Sequence, residues 1–277
     1  MNIRPRITSR IATAIAALLP FLAACSVSED EEVQMGREYA AEIAQQLPMV
    51  TDPAITEYVS RLGRDIASRT SRPDLPWEFH VVNAAEVNAF AVPGGFIYIN
   101  RGLIDRAERL DELAGVVGHE IGHVVLRHSA EQMEKRGNAT GVVTVICVIT
   151  SLCDGGLANV AINVAGAAWF AKHSRADEAE ADSAGIVAVM ATGISPRGIP
   201  TFFETLLQER QRQPTILDDW FASHPLEEDR VRRTQAIIDA MPAERLDALT
   251  ADVPSFQALK ARLRALPPAP RVAPGTA

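Results

Sequence analysis

Residues 112–128 read ELAGVVGHEIGHVVLRH, and at their centre stands His119-Glu120-Ile121-Gly122-His123. On an α-helix, residues four apart stand about 40° from each other around the axis, so His119 and His123 turn two imidazoles toward one point. Such a pair suits zinc. Glu120 is turned too far to be a third ligand, yet it can reach a metal-bound water, where a general base belongs. The plain alternative is a buried helix with two hydrogen-bonded histidines. Leu113, Val116, Val117, Ile121, Val124, Val125 and Leu126 make the flanks apolar nearly all round, which a helix through the centre of a domain requires. The helix is expected over residues 108–128, with a start as early as Gly102 allowed. Gly115, Gly118 and Gly122 each cost roughly 1 kcal/mol against alanine in a helix interior, so a neighbouring element or a substrate chain must approach this backbone closely. A membrane span is rejected, because the apolar run is too short and would put His119, Glu120 and His123 in hydrocarbon.

A second helix, expected from about Ala176, carries Asp177-Glu178-Ala179-Glu180-Ala181-Asp182. Glu178 and Asp182 share a face, offering one carboxylate to ligate and another to hold a ligand histidine. Alone, such a cluster reads as a solvated face; beside the pentad it reads as the rest of a metal site. A third histidine six residues past His123 would mark a metzincin, but that position is Ser129 and His128 comes one residue early. No Gly-x-Met-x-Asn segment of a thermolysin-like aminopeptidase is found.

The remaining elements follow from periodicity. Met35, Tyr39, Ile43 and Leu47 predict a helix over 33–47, and Ile55, Val59, Leu62 and Ile66 one over 53–68. Strands are expected over 77–82 and 95–100, with Pro93-Gly94-Gly95 as the turn into the second. The strand just before the zinc helix has a possible use, since a free edge can pair with an extended peptide; a plain hairpin is the alternative. Residues 139–168 are long and apolar, uncharged but for Asp154, and broken by Asp154-Gly155-Gly156. A helix, turn and helix packed over the site is the preferred reading, with membrane contact second. Cys147 and Cys153 within it are either disulfide-bonded or free thiols. Further helices are expected over 197–210 and 226–240, separated by a loop containing His224-Pro225. The last helices end by Leu266, and 267–277 is a disordered Pro/Ala tail.

The first residues are not fold. Arg4, Arg6 and Arg10 precede an apolar run over 11–22 and then Leu22-Ala23-Ala24-Cys25. This looks like a bacterial lipoprotein signal over 1–24, with Cys25 carrying lipid; an ordinary secretory signal is the alternative. Ser26 in the next position resembles the sorting signal for the outer membrane, and polar, acidic residues 25–32 read as a tether. Removing 1–24 leaves 24 basic against 35 acidic residues, a net charge of −11, which excludes nucleic acid as a partner.

Taken together, His119-Glu120-Ile121-Gly122-His123, Glu178-Ala179-Glu180-Ala181-Asp182, Asn88-Ala89-Phe90 with Pro93-Gly94-Gly95, and His224-Pro225 with Arg230 resemble the HtpX/BepA-type zinc metallopeptidases, the family that also includes the CAAX prenyl proteases. The resemblance covers roughly residues 33–240. It implies an α+β, mainly helical, zincin-like catalytic domain over 33–266, with a small sheet beside the zinc helix. One zinc ion would be held by His119, His123 and Glu178, Asp182 would orient a ligand imidazole, and Glu120 would be the base. Asn88, Ala89, Phe90, Gly94 and Gly95 would bind substrate, the region 90–100 supplying an edge strand. His224 and Arg230 would approach the metal, either of them steadying the oxyanion, or His224 instead filling the open zinc position at rest; a helix-start residue before Pro225 is the plain alternative for His224. The implied activity is hydrolysis of internal peptide bonds in misfolded or misassembled envelope proteins, at the periplasmic face of the outer membrane. A non-catalytic or self-inhibited lipoprotein with a chaperone-like role is the competing reading. No repeat period of 20–50 residues appears, so the tetratricopeptide array of the BepA branch is not expected here.

Overall fold

The computed structural model describes residues 27–136, 173–212, 217, 220, 224 and 228–269. Cys25, the apolar stretch 139–168 with Cys147 and Cys153, and Pro225 lie outside these residues. None of the described helices is long and apolar enough to cross a membrane.

Helix α1 spans Glu29–Gln46, so the second half of the expected tether, residues 29–32, is the first turn of a helix. The reason is local: Ser28 and Glu31 form a capping box, and four acidic residues in the first turn suit the positive end of the helix dipole. Glu32 is buried, where Arg72 and Arg127 pair with it and the Gly94 N–H donates to it. Helix α2 (Pro53–Ala67) starts on an Asp52 cap with proline in its first turn.

Strands β1 (Glu78–Val82), β2 (Ala89–Val92) and β3 (Phe96–Asn100) form a sheet in the order β1-β3-β2, with β1 parallel and β2 antiparallel to β3. The strand preceding the helix of His119 and His123 is therefore central, and the outer strand on the other side of the turn is β2. This corrects the expectation of an edge over the whole of 90–100. Alternate residues face two layers. Phe90, Phe96 and Tyr98 pack with Tyr39 and Ile43 of α1, while Phe79, Val81, Ile97 and Ile99 join the main core.

Helices α3 (Arg101–Arg106) and α4 (Leu110–Val125) are separate. The break holds because side chains satisfy its backbone: Lys260 donates to the Ala107 carbonyl, Gln257 to that of Glu108, and the Glu112 carboxylate of α4 accepts the Glu108 N–H. Beyond α4, Arg127 adopts φ 60°, and α5 (His128–Arg136) sets off in a new direction. A side chain at that φ is uncommon; here its guanidinium is held by Glu32 and by the Val27 carbonyl.

Helix α6 (Arg175–Ala191), capped by Ser174 and Asp177, lies along α4. It explains two of the central glycines. A Cβ on Gly122 would stand 2.7 Å from the Ala181 carbonyl oxygen, and one on Gly118 2.7 Å from Val189 and 3.2 Å from the Gly185 oxygen. The close neighbour is thus an element of the fold. Helices α7 (Gly198–Arg212), α8 (Glu228–Asp239), α9 (Ala243–Asp247) and α10 (Pro254–Ala265) complete the described chain. Order continues a little past α10, where Arg101 binds the carbonyls of Leu266 and Pro267. The result is a mainly helical α+β domain with a three-stranded sheet against its central helix, as the sequence indicated.

Candidate active site

Helix α4 runs through the core, and its two histidines reach the carboxylates of α6. The nitrogens His119 Nε2 and His123 Nε2 are 3.0 Å apart. Glu178, on the first turns of α6, adds Oε1 at 3.3 Å from His123 Nε2 and Oε2 at 3.5 Å from His119 Nε2. His224 adds Nδ1, 3.3 Å from His119 Nε2 and 3.2 Å from Glu178 Oε1, and its Nε2 faces Glu120 Oε1 at 3.4 Å. All five side chains are at most 2% exposed.

Asp182, one turn beyond Glu178, accepts from His119 Nδ1 at 2.9 Å and from Arg230 at 2.7 and 3.0 Å. In the neutral ring, the bond from Nδ1 leaves Nε2 of His119 as the lone-pair nitrogen facing His123 and Glu178. Arg230, buried in the first turn of α8, also lies 2.5 Å from Glu178 Oε2 and stacks over Phe203 at 4.5 Å. Its contact with Glu178 is one of charge, without hydrogen-bond geometry.

The charges shape the titration of these groups. Burial opposes a charged His119, but Glu178 and the Asp182 bond outweigh it and push the residue up to about 9. Burial and the neighbouring His173 hold His123 well below the usual histidine range. Burial would raise Glu178, yet His224, Arg230 and His119 keep it well below the usual carboxylate range. Burial also works against Asp182, and Arg230 overcomes it.

Two observations test whether a zinc ion fits. The donors His119 Nε2, His123 Nε2, Glu178 and His224 Nδ1 form one group. The four ligand atoms lie within 4.8 Å of one another, and His119 Nε2 stands 3.0 Å from His123 Nε2 and 3.3 Å from His224 Nδ1, near the roughly 3.3 Å between ligand atoms of a tetrahedral ion with bonds near 2.0–2.1 Å. Charge agrees: Glu120, Glu178 and Asp182 bury three carboxylates against the single guanidinium of Arg230, a deficit of two that a divalent cation removes.

The other expected residues are placed differently. Asn88 and Ala89 are buried at the start of β2, next to α4. Phe90 is stacked on Tyr98, ring centroids 4.9 Å apart, in the layer beneath α1. Gly94 and Gly95 make the β2–β3 turn with φ of 81° and 103°, and their neighbours are Val33 of α1 and Trp77. Sequence reasoning missed His128 and His173. His128 Nδ1 is 2.9 Å from His123 Nδ1, and the His173 ring stacks on that of His123 with centroids 3.8 Å apart. Neither carries a spacing signal, since one follows a helix break and the other precedes a helix cap.

A buried His-Glu-x-x-His helix, flanked by a second helix whose carboxylate reaches the same point, beside a small sheet, defines a zincin-like metallopeptidase domain. More narrowly, the chain belongs to peptidase family M48, whose model matches residues 53–238. It is 31% identical over 218 residues to the beta-barrel assembly-enhancing protease of Escherichia coli (strain K12), covering 76% of this chain and 44% of that one. It is 33% identical over 204 residues to metalloprotease LoiP of the same organism, covering 69% and 74%. The mitochondrial metalloendopeptidase OMA1 of Schizosaccharomyces pombe is 29% identical over 213 residues, covering 76% and 61%. The chain thus spans less than half the length of the first of these relatives.

Proposed function

We propose that the chain is a zinc-dependent endopeptidase, held shut at rest by His224. The observation that carries this reading is the four-donor group in which Glu120 stands beside His224 and no member is open to solvent. His119, His123 and Glu178 would hold the ion, which when bound supplies Lewis-acid polarisation of the scissile carbonyl and of a water. Asp182 and Arg230 keep His119 in the tautomer with Nε2 free. Once His224 withdraws, Glu120 takes the proton of the attacking water and passes it to the leaving amine nitrogen. A site that only stabilised the fold would have no use for a buried carboxylate oxygen without a hydrogen bond such as Glu120 Oε1. Restraint by His224 also suits an enzyme that works among folded proteins.

Substrates on this reading are misfolded or misassembled envelope proteins, reached from a lipid anchor on Cys25 at the periplasmic face of the outer membrane. The support is the leader over 1–24, the lipidation-type sequence ending at Cys25, and the name of a relative that enhances β-barrel assembly. The outer edge of β2, the side not paired with β3, is the candidate for pairing with the substrate backbone. Glu120→Gln tests the chemistry: the variant should keep one zinc per chain and wild-type thermal stability while casein cleavage falls by several orders of magnitude. Undiminished cleavage would remove Glu120 as the base.

A further inference from the structure

Five of the chain's six histidines meet at this site, and the four-donor group uses three of them. The two histidines of α4 are not supported alike. His119 leans on a carboxylate through Nδ1, whereas His123 Nδ1 faces another imidazole nitrogen, His128 Nδ1, at 2.9 Å. His128 is 4% exposed, so no bulk water competes for that contact. Two neutral imidazoles whose Nδ1 atoms stand this close share a single proton between them.

Which ring owns the proton follows from the other nitrogens. His123 Nε2 faces His119 and Glu178, where a cation would sit, and must keep its lone pair. Its proton is then on Nδ1 and is donated to His128, whose Nδ1 must be bare. The proton of His128 consequently lies on Nε2, which stands 3.5 Å from Glu180 Oε2 without hydrogen-bond geometry. The His123–His128 pair thus has one consistent set of protons. His173 stacks against the ring face of His123 and offers its edge no acceptor in that geometry.

We propose that His128 is a positioning residue that orients His123 and fixes its tautomer for the metal, an inference that rests on the zinc reading above. It makes the two histidine ligands unequal, one backed by an anion and the other by a neutral ring. The full chain with His128→Leu, which leaves a buried N–H without an acceptor, should bind zinc about 10–100-fold more weakly in chelator competition. Its cobalt-substituted form should show shifted visible bands. His128→Asn, whose amide oxygen accepts a hydrogen bond, should recover most of the affinity and the wild-type bands. Zinc affinity and cobalt bands unchanged in His128→Leu, with only the melting temperature in EDTA lowered, would make the residue merely structural and overturn the proposal. Should that variant fail to fold, nitrogen-15 spectra of the imidazoles in the zinc-loaded wild type decide: a bare Nδ1 on His128 is expected, and a protonated Nδ1 overturns the idea. Wild-type protein that takes up no zinc would instead sink the metallopeptidase reading itself.

Discussion

Arg230→Met should be among the most damaging substitutions outside the metal donors, and the structure gives its size. The guanidinium is 2% exposed, binds Asp182 at 2.7 and 3.0 Å and stands 2.5 Å from Glu178. Methionine can fill much of the space over Phe203 but carries no charge, so two buried carboxylates lose their shared cation. Removing one partner of a buried pair costs about 3–5 kcal/mol, because the other charge is left without water or counter-ion. For a domain of this size each kcal/mol moves the melting temperature by about 2–4 °C, so metal-free protein should melt about 6–20 °C lower. Calorimetry in EDTA measures this. If the cost is the orphaned charge, adding Asp182→Asn to Arg230→Met should recover a large part of it. A single variant within about 1 kcal/mol of wild type, or a double variant no more stable than the single, would refute the argument.

His224→Ala should raise basal casein cleavage and loosen zinc in chelator competition, since a resting ligand is lost; slower cleavage with unchanged zinc retention would instead assign the residue to the oxyanion. Because His119 is pushed from 6.5 up to about 9 in the metal-free protein, its proton stabilises that form fully below pH 6.5 and is progressively lost as pH rises through 9. In EDTA the melting temperature should therefore fall over this window, while apparent zinc affinity rises by up to about tenfold per pH unit as the competing proton leaves. A flat profile in both measurements would show that His119 is not protonated. Gly122→Ala puts a methyl group 2.7 Å from the Ala181 carbonyl oxygen, on the backbone between Glu178 and Asp182. Zinc affinity should drop with it, measurable by competition; an alanine variant with wild-type affinity would mean that the two helices tolerate separation.

The spacing of His119 and His123 was legible because a helix fixes it locally, and Glu178 and Asp182 were legible for the same reason. Even the start of α1 carried a local signal in Ser28 and Glu31, masked by the acidic composition around it. Strand order was not legible, since β1 pairs with β3 and skips β2, which lies between them in the chain. Nor could the glycines of α4 name their neighbour, because α6 is brought there only when the core closes.

By itself the sequence determined which side chains could do metal chemistry and on which helical faces they stand. Tertiary structure decided which of them meet: Glu178 and His224 arrive from separate parts of the chain, and no local periodicity sets their distance to α4. His128 shows the physical reason most plainly. Five residues beyond His123, a continuous helix would carry it about 140° away around the axis. The left-handed turn at Arg127, held by Glu32 of α1, ends the helix there and brings the imidazole back to within 2.9 Å of its partner.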